Sequence, residues 1–184
     1  MWNDFLFALW IFLPAGLANM TPIAMAKLPV VRDWNYPLDF NKSFKGIRIF
    51  GDHKTLRGII SGIIVAILAS YLCKYWYQTT PWLQNQFAID YSKIDALVFG
   101  LLAGFGALMG DAIKSFFKRR TNIKPGDTWF PFDQIDYIIG GLICLGLYVR
   151  FSFMQYVLIV IAYFGLHLLS TYIGFLLKLK KSPI

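Results

Sequence analysis

The stretch GDAIKSFFKRRTNIKPGDTWFPFDQID, residues 110–136, sets Asp111, Asp127, Asp133 and Asp136 among Lys114, Lys118, Arg119, Arg120 and Lys124, between two apolar runs. Carboxylates are hard oxygen ligands of the kind Mg2+ takes one or two at a time, filling the rest of its shell with water and phosphate oxygens. Lysine and arginine supply cations that hold a leaving polyphosphate. Both requirements belong to phosphoryl or nucleotidyl transfer. Charges at bilayer depth are costly, so charges kept beside apolar spans point to chemistry.

At ~100° per residue, Asp111, Lys114, Ser115 and Lys118 share a helical arc of about 100°, with Phe116 and Phe117 outside it. One face is polar and suits a hydrated pocket. On a second helix Asp133 and Asp136 fall ~60° apart, with Tyr137 and Gly140 on the same side. Two carboxylates that close repel unless a cation lies between them. By spacing alone that cation is either a metal ion held by Asp133 and Asp136 or the neighbouring lysines and arginines.

A second charged stretch, DFNKSFKGIRIFGDHKTLRG, carries Asp39, Lys42, Lys45, Arg48, Asp52, Lys54, Thr55 and Arg57 among glycines. Its GDHKT lacks the spacing of a phosphate-binding P-loop, yet backbone amides and basic side chains can hold phosphate oxygens. His53 and His167 stand isolated, as a loop donor and an intramembrane polar residue rather than as metal ligands.

These loops must be positioned by elements that the composition restricts. Of 184 residues 57% are hydrophobic and 15% charged, with mean hydropathy +0.53, which no soluble domain shows. The expectation is a single all-α integral membrane domain spanning residues 1–184. Apolar runs at 5–18, 59–77, 96–113, 135–149 and 151–177 give about five transmembrane helices, the fourth short for a span of roughly 20 residues.

Basic residues set the orientation. Lys27, Arg32, Lys42, Lys45, Arg48, Lys54 and Arg57 precede the second run, and Lys114, Lys118, Arg119, Arg120 and Lys124 follow the third. Lys178, Lys180 and Lys181 close the chain, whereas the opposite connections hold Lys74, Lys93 and Arg150. The positive-inside rule then places the amino terminus outside and the carboxyl terminus in the cytoplasm, with both charged loops on the cytoplasmic side of the cytoplasmic membrane. The start MWNDF lacks the basic flank of a signal peptide and reads as an anchor. The outside connection around QTTPWLQNQ reads as an ordinary solvated loop, and Trp2, Trp10, Trp76 and Trp82 as interfacial aromatics.

All ten acids are aspartates and the formal charge is +8, which on a membrane protein favours anionic headgroups or phosphate substrates; no nucleic-acid module is present. Cys73 and Cys144 lie in apolar runs and are expected as free thiols. Gly100, Gly104, Gly106 and Gly110 permit close helix packing.

Ser115, Lys118, Arg119 and Lys124, followed by Asp133 and Asp136, resemble the S-x-x-K-R-x4-K and D-R-x-D signature of membrane CTP-dependent phosphatidate cytidylyltransferases. The fit is partial: the second loop is shorter, lacks the family's histidine and paired glycines, and reads DQID. A closer resemblance is to the smaller CDP-archaeol synthase family. It is carried by NMTPIA from Asn19, LDF at 38–40, IFGDHKTLRG at 49–58, GD at 110–111, KSFFKRR and IKPGD within 114–127, and FDQID at 132–136. His53 and Leu56 depart from the family pattern.

The resemblance implies transfer of CMP from CTP to an isoprenoid ether lipid phosphate in the bilayer, releasing pyrophosphate. It implies Asp111, Asp133 and Asp136 as ligands of Mg2+, with Lys114, Lys118, Arg119 and Lys124 at the leaving pyrophosphate. Asp52, Lys54, Thr55 and Arg57 would face the lipid phosphate and nucleotide from the first loop, together with Ser115 and Asn19. Two other readings stand beside it: a phosphatidate cytidylyltransferase, and a channel or scaffold that uses its basic loops only to bind anionic lipid. The oligomeric state is not legible.

Overall fold

The computed structural model describes residues 2–31, 33–87, 89–121, 123, 127–176 and 178. Five long helices carry the chain: α1 (Trp2–Met25), α2 (Leu56–Thr79), α4 (Ala96–Arg120), α5 (Phe132–Gly146) and α6 (Phe153–Leu176), with a short α3 (Pro81–Gln86) between α2 and α4. Helices α1, α2, α4 and α6 are long and apolar enough to cross a membrane. The protein is therefore a multi-pass, almost wholly helical membrane protein. A two-stranded antiparallel hairpin, β1 (Ser43–Phe44) and β2 (Ile47–Arg48), lies in the α1–α2 connection.

Two of the long helices start at a side-chain cap. Thr55 caps α2, its hydroxyl accepting from the Gly58 amide at 3.2 Å. Asp95 caps α4 by accepting from the amides of Leu97 and Val98. Apolar runs mark where lipid or core contact ends, but a helix persists through charged turns where its backbone bonds continue. Hence α4 runs past Ile113 to Arg120, placing Lys118, Arg119 and Arg120 in a last turn whose carbonyl dipoles favour cations.

The QTTPWLQNQ segment has no buried residue, as a solvated connection should, but part of it is a helix rather than a loop. Pro81 starts α3, and beyond it Phe87 and Tyr91 turn back into the core. There they stack and tilt against Tyr77, whose ring centroid lies 6.1 Å from Phe87 and 6.0 Å from Tyr91. Trp10 likewise sits within α1, 6.1 Å from Trp76 and 5.9 Å from Phe87, as part of this packing rather than at the end of a helix. Cys73 and Cys144 are free thiols, Cys73 buried.

Helix α4 is the central element. A Cβ at Gly100 would lie 2.4 Å from the Ile67 Cα of α2, and one at Gly110 would lie 2.3 Å from the Asp136 carbonyl oxygen of α5. A side chain fits at neither place, so glycine is what allows the backbones to approach. Contacts pair Gly100 with Ile67 and Gly104 with Ile63, and likewise Gly106 with Cys144 and Gly110 with Asp136, so α4 runs antiparallel to both neighbours. Gly58 against Pro22 and Gly62 against Ala18 make α2 antiparallel to α1. The C-terminal ends of α1 and α4 and the N-terminal ends of α2 and α5 thus meet on one side.

Candidate active site

On that side the two charged stretches converge. Asp111, Lys114 and Lys118 project from successive turns of α4, and Asp133 and Asp136 from the first turns of α5. The Lys114 ammonium lies 2.6 Å from Asp133, 3.0 Å from Asp136 and 3.3 Å from Asp111. Lys118 donates to the other Asp133 oxygen at 2.7 Å, which also accepts the Trp129 amide at 2.6 Å. Lys54, from the first loop, pairs with the remaining Asp111 oxygen. The three aspartates and three lysines balance formally, and the Asp136 side chain keeps only 5% of its exposure. Burial of that order is tolerable because every carboxylate has a cation against it.

The first loop is organised by Asp39, a residue that sequence reasoning noted without assigning it a role. Its buried carboxylate accepts from Arg48 at 2.7 Å, from the amides of Phe50 and Gly51 at 2.9 Å each, and from Asn41 at 3.1 Å. Burial alone would raise its pKa, but the Arg48 guanidinium and the Gly51, Phe50 and Asn41 amides outweigh that and hold it well below the usual carboxylate range. The signal available in the sequence was an aspartate followed by alternating basic residues and two glycines, which does not say which cation pairs with which acid.

Two arginines of α4 fasten this loop. Arg119 donates from Nε to the Phe50 carbonyl at 3.2 Å. Gly51 beside it has φ +88°, and a Cβ there would meet the Arg119 guanidinium at 2.2 Å. Gly51 is therefore favoured for its backbone conformation, and a side chain there would push the flexible Arg119 guanidinium aside. Arg120 lies 3.4 Å from the Phe116 ring centroid and 5.5 Å from that of Phe44 in β1, a cation–π contact on each side.

Of the predicted residues, Asp111, Lys114, Lys118, Asp133, Asp136 and Lys54 form one cluster. Ser115 is buried on the same helix, its hydroxyl donating to the Asp111 carbonyl at 2.9 Å. Arg119 borders the cluster through the loop. Asp52 stands apart, its side chain 79% exposed and paired with Arg48 at 3.0 Å. Thr55 is taken up in capping α2, and Arg57 is buried, with Nη1 donating to the Val31 carbonyl at 3.0 Å. Asn19 is half-buried one turn beyond Ala15, which with Phe12 packs against Gly141 of α5. Lys124 lies outside the described residues.

Among the described residues no three Asp, His or Cys side chains form a ready-made metal cage. The three carboxylates face an ammonium rather than one another. The donor set is nonetheless chemically suited to Mg2+, since three hard-oxygen side chains address a single cationic point within 3.3 Å.

A family model described as CarS-like, CDP-archaeol synthase, matches residues 1–184. The chain is 33% identical over 178 residues to the CDP-archaeol synthase of Thermofilum pendens, covering 95% of this chain and 78% of that one. It is 31% identical over 185 residues to that of Methanopyrus kandleri, covering 99% and 95%. Its fold is similar to a solved structure described as an intramembrane enzyme for archaeal membrane lipids biosynthesis, with TM-score 0.70, 28% identity, and coverage of 90% of this chain and 92% of the other.

Proposed function

The chain belongs to the CDP-archaeol synthase family, a family of CTP-dependent cytidylyltransferases, and from that premise we propose which lipid it uses, how its residues divide the work, and on which membrane face they do it. The acceptor is the phosphate of an isoprenoid ether glycerolipid of the digeranylgeranylglyceryl phosphate type, and the reaction uses Mg2+. The observation that carries this reading is the convergence of Asp111, Asp133 and Asp136 on one cationic point, flanked by Lys54 and Lys118. A purely adhesive basic surface has no use for three carboxylates gathered on one ammonium, one of them buried.

Asp111, Asp133 and Asp136 are the residues that would hold Mg2+, which when bound neutralises the triphosphate and polarises the phosphorus under attack. An oxygen of the lipid phosphate forms the new bond to the α-phosphorus of CTP. The bond from that phosphorus to the bridging oxygen breaks, and its electron pair leaves with pyrophosphate. The lipid phosphate is already an anion at neutral pH, so no general base is required and the chain's task is positioning and charge neutralisation. Lys114, Lys118, Arg119 and Lys124 stabilise the departing pyrophosphate. Lys54 closes the site on the substrate side, supported by Thr55, which caps the following helix, and by Ser115, which bonds the Asp111 carbonyl. For Asp52, Arg57 and Asn19 a role at the substrate is what the family resemblance implies.

We read the chain as one domain in which α5 is a fifth, short span: its 15 residues reach about 22 Å at ~1.5 Å per residue. The antiparallel order of α1, α2, α4 and α5 supports that reading, and the basic residues gathered on the side of the cluster support a cytoplasmic site with the amino terminus outside. The isoprenoid tails stay in the bilayer while CTP reaches the cluster from water.

The test is acceptor choice. Purified chain in nanodiscs, given Mg2+ and CTP labelled at the α-phosphate, is offered the ether lipid phosphate and phosphatidate in parallel. Label entering the ether lipid in preference supports the reading, and label entering phosphatidate alone overturns the substrate assignment.

A further inference from the structure

Lys114 bridges two helices, reaching Asp111 on its own α4 and both Asp133 and Asp136 on α5. Its side chain is 14% exposed, so these pairs are shielded from water and their charges are felt strongly. Lys118 pairs with Asp133, and Lys54 with Asp111. Lys114 is the cation that stands at the point common to all three acids.

A bare divalent ion approaching the carboxylates therefore meets an ammonium where it would have to sit, and like charges at that range oppose entry. A metal arriving with a nucleoside triphosphate changes the balance, because the triphosphate brings oxygens able to accept the displaced ammonium. The lysine stem is long and flexible enough to follow.

We propose that Lys114 is a placeholder cation: it closes the Asp111, Asp133 and Asp136 set to bare divalent metal and yields its place only when the metal comes with a triphosphate. The inference rests on the functional reading above and adds an order to it. Metal and nucleotide then bind with positive coupling, each raising the affinity of the other by the same factor. Lys114 is in this respect a positioning residue whose effect is read in metal binding, apart from turnover.

The experiment uses the full chain in detergent, with no lipid acceptor and no nucleotide, titrated with Mn2+ while electron paramagnetic resonance counts the free ion. Wild type is expected to bind bare Mn2+ weakly, and Lys114→Met at least about tenfold more tightly, because one like charge is gone from contact range. Lys118→Met changes the affinity by less than about threefold, since its charge is not at the shared point. Adding Asp136→Asn to Lys114→Met removes the gain. Wild type binding bare Mn2+ as tightly as Lys114→Met overturns the proposal, and so does an equal gain in Lys118→Met, which marks a general charge effect. If Lys114→Met does not fold, Lys114→Gln takes its place. As a second measurement, labelled CTP is bound to wild type with and without Mn2+, and unchanged CTP affinity also overturns the proposal. CMP transfer by wild type is assayed separately: its absence sinks the functional reading while the metal titration still decides the placeholder role.

Discussion

Lys114 of α4 and Asp136 of α5 lie 3.0 Å apart although their helices meet through Gly110, whose missing Cβ lets the Asp136 carbonyl come in close. The site and one of the close backbone contacts between α4 and α5 are the same place. Packing and chemistry are therefore linked here, and variants of small residues are expected to report on both.

Gly110→Ala places a Cβ 2.3 Å from the Asp136 carbonyl oxygen, so α4 and α5 must separate. Overpacking of this kind costs roughly 1–3 kcal/mol. The expected outcome is a lower melting temperature in detergent together with loss of most CMP transfer. A variant that keeps full transfer would show that the cluster tolerates movement between its two halves.

Gly51→Ala strains a residue at φ +88° and drives a methyl into the Arg119 guanidinium. The left-handed conformation alone costs about 1–2 kcal/mol for a residue with a Cβ. The first loop should loosen, seen as faster proteolysis within residues 26–55, with a raised KM for CTP and little change in global melting. Undiminished protection of the loop would argue against Arg119 as its fastener.

Asp39 gives a pH dependence with a definite sign. Its folded pKa is depressed below the ordinary 3.8, so its stabilisation of the loop is complete above that value and is lost as pH falls through it toward the folded value. Hydrogen exchange of the Phe50 and Gly51 amides, corrected for intrinsic rate, should show constant protection from neutral pH to about 5 and a decline below about 4. Asp39→Asn should give weaker protection that no longer varies over that range.

Tyr91 is wholly buried and its hydroxyl has no hydrogen-bond partner among the described residues. Removing an unsatisfied buried donor relieves a desolvation cost of about 1–3 kcal/mol. Tyr91→Phe is expected to match or exceed the wild-type melting temperature and to leave transfer unchanged, since the residue is in the aromatic packing beyond α3. A marked drop in melting temperature would mean that the hydroxyl is solvated or bonded in the membrane.

The long helices were legible because an apolar run beside charged loops leaves few alternatives, and the glycines of α4 announced close packing. Less visible was α3, since a six-residue helix started by Pro81 has no hydrophobic period to reveal it. At the site, the wheel placed Asp111, Lys114 and Lys118 on one face and Asp133 near Asp136, and the structure adds that these two faces meet. What spacing does not encode is pairing across distant segments. Thus Lys54 reaches Asp111, while Asp52, two residues earlier, turns out to Arg48, and Arg57 is drawn inward to the Val31 carbonyl. Alternative partners of equal charge are separated only by the three-dimensional course of the loop.

The most direct measurement of the central claim compares wild type with Asp133→Asn and Asp136→Asn in the transfer of α-labelled CMP from CTP to the ether lipid phosphate, each protein first shown to melt cooperatively. The account predicts transfer by wild type and a loss of at least about a hundredfold in each variant, as for removal of a group acting on the transition state. Transfer at near wild-type rate by either folded variant would contradict the assignment of the carboxylate cluster as the site of chemistry.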